Sequence, residues 1–152
     1  MCSFAQRRFR RDGIDIPFPV QTVHLKEITA ESRKAEHEQA VSAFDRALAL
    51  DAKQPRACHG KGVSLQALKR YEEAATAYGQ AATLDPTFTR STLSQGTCLL
   101  ALHRYEEALA AFRHVLAADP KDHAAALGSC DALEALGKTK EALDACVRLT
   151  AL

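Results

Sequence analysis

The 152-residue chain has no tryptophan and one methionine, and its charges nearly cancel, 20 Lys+Arg against 19 Asp+Glu. A net charge of +1 gives no global electrostatic case for nucleic acid. No apolar run approaches the roughly 18 residues that a membrane span needs, so no membrane insertion of this chain is expected. Seven Gly and five Pro are too few for a turn-rich all-β fold. There is no C-x-x-C pair. Cys2, Cys58, Cys98, Cys130 and Cys146 are odd in number and widely spaced, which argues against a disulfide framework. Four of them fall in helical apolar patterns, where a reduced thiol acts as a small hydrophobe; this favours a reducing, cytoplasmic setting. No hydrophobic signal-peptide core occurs, and the acid-free, Arg-rich stretch Met1 to Arg11 is the one trace of a targeting signal. What is present is an ordinary globular balance, 47% hydrophobic and 26% charged, with Ala and Leu crowded after Ala40. That points to one helical domain.

The helical region repeats itself. Tyr71-Glu72-Glu73-Ala74 recurs as Tyr105-Glu106-Glu107-Ala108, and Asp85-Pro86 recurs as Asp119-Pro120, both at a step of 34 residues. Residues 55–88 laid over 89–122 give 13 identities without a gap. A third copy follows from His123, with Leu133-x-Ala135-Leu136 and Glu141-Ala142-Leu143. One step earlier, Ala40, Ala43, Phe44, Ala47, Leu50 and Asp51 fall on the second half of a preceding unit. The pattern predicts helices at 30–50, 56–69, 72–84, 90–103, 106–118, 123–136 and 139–151. Each Asp-Pro stops a helix, because Pro pushes the residue before it out of helical geometry. A small residue such as Ala74 or Ala108 lets two antiparallel helices approach, and a single pair cannot bury its apolar faces without stacked neighbours.

A 34-residue period with two helices per unit resembles the tetratricopeptide repeat family. Counted from Pro55, Thr89 and His123, positions 8, 11, 20, 24, 27 and 32 carry the family's small, Leu, Ala, aromatic, small and Pro signature. They read Gly62, Leu65, Ala74, Tyr78, Ala81 and Pro86, then Gly96, Leu99, Ala108, Phe112, Val115 and Pro120. The third unit reads Cys130, Leu133, Ala142, Cys146 and Leu149. The aromatic expected at position 4 is replaced by Cys58, Thr92 and Ala126. The resemblance implies an all-α, right-handed solenoid of antiparallel helix pairs. Its units are 29–54 (a half), 55–88, 89–122 and 123–152, behind a leader at 1–28. The polar start of the first helix suits a solvated cap, whereas the last helix is expected to leave apolar surface open, a possible route to self-association.

In the leader, Val20 to Leu25 alternates as a strand would, and Ile14-Asp15-Ile16-Pro17-Phe18-Pro19 reads as extended chain. Residues 4–25 are similar to the carboxyl end of the small-conductance mechanosensitive channel family, through Phe9, Gly13, Ile14, Ile16, Pro17, Phe18, Pro19, Val23 and Leu25. That likeness implies an alternative role as the cytoplasmic regulatory or assembly extension of a channel-like membrane protein. The nearby Arg7, Arg8, Arg10 and Arg11 read as a charged helix face.

No catalytic residues, cofactor or metal site are expected. His37-Glu38 lacks the second His of a zinc-protease motif, and Gly60-Lys61-Gly62 lies in a repeat helix rather than a phosphate loop. Cys58 and His59 are helix neighbours that point in different directions, and His103 and His114 lack cysteine partners at metal spacing. The resemblance implies instead that the first helix of each unit lines a concave, peptide-binding groove. Its residues here are Arg56, His59, Val63, Gln66, Arg90, Leu93, Thr97, Leu100, Leu127 and Asp131. Arg56 and Arg90, one repeat apart, suit an acidic side chain or carboxylate on a peptide, above an apolar floor of Leu93, Leu100 and Leu127. The family's chaperone-tail clamp is not matched, since His59, Val63 and Ser94 stand at its positions. The expected function is a non-catalytic scaffold that binds a protein or peptide segment.

Overall fold

The structure, a computed structural model, describes the backbone of residues 18–150 and the side chains of residues 29–147. Seven helices and no strand occur among the described residues. They are α1 Phe18–Leu50, α2 Pro55–Ala67, α3 Tyr71–Leu84, α4 Thr89–Ala101, α5 Tyr105–Ala118, α6 His123–Ala135 and α7 Thr139–Thr150. The last six lie within two residues of their expected bounds. The first begins twelve residues before the expected residue 30, and the strand expected over Val20 to Leu25 is helix instead. Pro19 explains why alternation lost. A proline in the first helical turn loses nothing, because the amide it lacks would have no partner there. Residues 1–17, which hold most of the channel-like stretch, lie outside the described residues.

The chain forms two units, Met1–Glu36 and His37–Leu152, with the division falling inside α1. The repeat body is the second. In it each helix from α2 packs on the next, and α4 also packs on α6. This is a solenoid of stacked antiparallel helix pairs.

The stacking follows from one size rule. Position 24 holds a ring in every unit but the last, and small residues at position 8 of the same unit or position 6 of the next receive it. A Cβ at Gly62 would lie 2.7 Å from Tyr78 Cε1, and one at Gly96 would lie 2.8 Å from Phe112 Cε1. The same Phe112 ring reaches the next unit, where a Cβ at Gly128 would lie 2.5 Å from Cζ. Phe44 on α1 stands in the same relation to Gly60 on α2, also at 2.5 Å. Tyr78 and Phe112 are the largest fully buried side chains among the described residues. Burying each ring stabilises by about 2–3 kcal/mol. Ala74, Ala108 and Ala142, at position 20 of their units, are buried.

The turn inside each unit is also repeated. Lys69, His103 and Gly137 hold the left-handed conformation, with φ of 60°, 60° and 73°. Each sits in the same double hydrogen bond. Lys69 N donates to Gln66 O and Arg70 N to Leu65 O, both at 2.9 Å, and the other two turns match. This is the glycine-favouring C-terminal cap of a helix, filled twice by residues with a Cβ. The loops between units turn on Asp51, Asp85 and Asp119, whose carboxylates accept the amides of Lys53, Thr87 and Lys121 at 3.0 Å.

Replacing Lys69 with Gly should therefore stabilise the protein by about 0.5–1 kcal/mol, and Gly137→Lys should cost a similar amount. Urea unfolding monitored by circular dichroism checks both signs; a loss in Lys69→Gly contradicts the turn analysis.

Candidate functional site

The first helices of the three full units, α2, α4 and α6, carry all ten residues expected to line the groove. Arg56, Val63, Arg90, Thr97, Leu127 and Asp131 are exposed on them. Val63 at 47% and Leu127 at 58% are large apolar side chains left open to solvent. Leu93 and Leu100 are half-buried and lean on the core, as a floor would.

The cations differ in what they touch. Arg70 is held by Glu73 at 2.6 Å, and Arg104 by Glu107 at 2.7 Å and by Glu72 at 2.9 Å. These are exposed pairs that contribute little to stability. Arg56 and Arg90 form no ion pair among the described residues. At the other end of the series, Asp131 and Glu134 are exposed on α6. The first helices thus run from basic to acidic along the stack.

His59 and Gln66 are occupied by the fold. Tyr78 Oη donates to Gln66 Oε1 at 2.8 Å. His59 Nδ1 shares a hydrogen bond of 3.0 Å with the hydroxyl of Ser91, which is fully buried on α4. The imidazole also rests between the rings of Tyr78 and Phe88, with centroids 5.2 Å and 5.0 Å away. Burial first, and the nearby Arg90 charge second, lower the His59 pKa from its ordinary value. Ser91, Tyr78 and Phe88 complete a polar and aromatic seam joining α2, α3 and α4. A groove pattern of one helix face cannot reveal that seam, because its members come from three helices and the turn before α4.

A separate cavity of about 490 Å³ is lined by Leu48, Ala52, Cys58, Gly79, Gln80, Thr83 and Leu84. None of the ten groove residues lines it. Among the described residues no three His, Cys, Asp or Glu side chains gather as metal ligands would, and no helix is long and apolar enough to cross a membrane.

Two tetratricopeptide-repeat family models match the chain, one at residues 55–88 and one at residues 99–151. Tetratricopeptide repeats are therefore present, and one match coincides with the unit 55–88. No curated protein sequence matches. Among solved structures, the chain is similar to MamA 41-end from Desulfovibrio magneticus RS-1, with a TM-score of 0.71 and 21% identity, covering 84% of this chain and 73% of that one. MamA MSR-1 gives 0.69 at 18% identity over 76% of this chain and 67% of its own. A third MamA crystal structure gives 0.71 at 17% identity over 74% and 62%. At such identities the likeness is one of fold.

The His59 seam generates a pH dependence with a definite sign. As pH falls below 6.5, the unfolded chain takes up the imidazole proton before the folded chain does. Stability is full above that value and is lost toward the lowered folded pKa. His59→Gln should show a smaller fall in melting midpoint between pH 7 and pH 5 than the parent protein. Equal falls would remove His59 as the titrating group.

Proposed function

We propose that this chain, built of tetratricopeptide repeats, is a non-catalytic, cytoplasmic protein-interaction scaffold that holds an acidic peptide segment against α2 and α4. The observation that carries the reading is the contrast among its arginines. Arg70 and Arg104 are matched by carboxylates of this chain, whereas Arg56 and Arg90 stand exposed, one repeat apart and without an ion pair among the described residues. A guanidinium offers a planar fork of donors that fits a carboxylate, and two of them one unit apart fit two carboxylates or one flanked by polar groups. Beside them, Val63, Leu93 and Leu100 give the apolar surface that such a contact needs at its centre. Asp131 and Glu134 at the far end of the series disfavour an acidic segment there, which sets its position on the stack.

The stiffness of the stacked pairs supports the same reading. A surface that is ordered before binding loses little conformational freedom on association. Self-association is a separate use of the solenoid, toward which Leu143 and Val147, exposed one turn apart on α7, offer apolar surface.

The test is fluorescence anisotropy of a labelled Asp/Glu-rich peptide titrated with the full chain. Binding should weaken at least about tenfold in the Arg56→Glu, Arg90→Glu double variant, and should fall with added salt. Both substituted sites are exposed, so the circular dichroism spectrum should be unchanged. Equal affinities for parent and double variant, at unchanged helicity, would overturn the assignment.

A further inference from the structure

The third repeat breaks the size rule of the first two in a chemically specific way. Positions 8 and 24 face each other across each helix pair, as Gly62 with Tyr78 and Gly96 with Phe112 show. In the third unit those two positions are Cys130 on α6 and Cys146 on α7. A small residue and a ring give way together to two thiols of equal length. The local contacts agree with the register. Cys130 Sγ donates to the carbonyl of Ala142 at 3.8 Å, one helical turn before Cys146, and the Cys146 thiol is among the neighbours that raise the Cys130 pKa. Both cysteines are free. Cys130 is buried and Cys146 is half-buried, so one is reachable from solvent and the other lies behind it.

We propose that Cys130 and Cys146 are a dithiol modification site, which a small-molecule disulfide such as oxidised glutathione converts into a disulfide joining α6 to α7. The half-buried Cys146 acts first. Its thiolate attacks one sulfur of the glutathione disulfide, the S–S bond breaks, and glutathione thiolate leaves with the electron pair and takes up a proton. Cys146 is then a mixed disulfide. Cys130 releases its proton to solvent and attacks the Cys146 sulfur, expelling the second glutathione thiolate. The two protein thiols together lose two electrons and two protons, and one glutathione disulfide becomes two glutathione thiols.

The order of attack follows from the surroundings. Burial, joined by Cys146 and the carboxylates of Asp131 and Glu134, pushes the Cys130 thiol up to about 12. Such a thiol is a poor first nucleophile toward a reagent in solution. Beside a mixed disulfide it needs no encounter from solution, because the target sulfur stands at the facing position of the paired helix. The other two buried cysteines, Cys58 and Cys98, sit at positions 4 and 10 of their units, and neither has a cysteine at position 24 of its own unit. The bond would close a loop of 15 intervening residues around the turn at Gly137. It would thereby fasten the one helix pair that has no ring at its centre.

The experiment incubates the full chain with oxidised glutathione, blocks remaining thiols with iodoacetamide, and maps non-reduced tryptic peptides by mass spectrometry. Cys2→Ser is run beside the parent protein to remove the thiol nearest the amino terminus. Expected in both is a cross-linked pair of peptides containing Cys130 and Cys146, which dithiothreitol separates. Cys146→Ser should leave Cys130 in its alkylated-only form, with no cross-link. A lasting glutathione adduct on Cys146 beside a free Cys130 would overturn the proposal. So would a bond from either cysteine to Cys2, or two unmodified thiols after the parent protein has been exposed.

Discussion

The repeat body depends on an aromatic ring lodged between residues that have almost no side chain. Phe112 is the fullest case, closing on Gly96 of its own unit and on Gly128 of the next. One ring therefore sets two separations at once, that within a helix pair and that between successive pairs. Tyr78 does the same with a variation. It lies against Gly62, but position 6 of the following unit is Ser94 instead of glycine. Its ring carries a polar tip, and the phenol hydroxyl donates to Gln66 Oε1 at 2.8 Å. Interiors packed to crystal-like density tolerate little change in volume, so each ring and its small neighbours act as one unit of specification.

Most of that scheme is legible in the residues. Tyr-Glu-Glu-Ala and Asp-Pro at a step of 34 mark helix starts and stops, and the six helices from α2 onward follow them to within two residues. Ala74, Ala108 and Ala142 are buried where small side chains are needed. Two features are not legible for physical reasons. Lys69 and His103 occupy a left-handed turn that glycine favours, and the hydrogen-bonded cap around them overrides local preference. Val20 to Leu25 alternates in polarity over too short a span to compete with a helix that begins at Phe18.

The groove shows the same division. The family resemblance assigns its face to the first helix of each unit, and all ten expected residues lie on α2, α4 and α6. Which of them are available to a ligand cannot be. His59 and Gln66 share the pattern of their neighbours, yet both are bound to residues contributed by other helices. Arg56 and Arg90 stay open because no acidic side chain of the repeat body reaches them, whereas the acids of the Tyr-Glu-Glu-Ala motif answer Arg70 and Arg104. The same repeat thus supplies arginines paired within the fold and arginines left exposed without an ion pair among the described residues.

The seating of the ring is tested most directly by a double-mutant cycle between Phe112 and Gly128, with stabilities from urea unfolding. In the parent background Gly128→Ala drives a methyl group into the ring and should cost about 1–3 kcal/mol. In the Phe112→Ala background the ring is gone, and the same substitution should be neutral or stabilising, giving a coupling above about 1 kcal/mol. Additive effects, with Gly128→Ala equally costly in both backgrounds, would contradict the account.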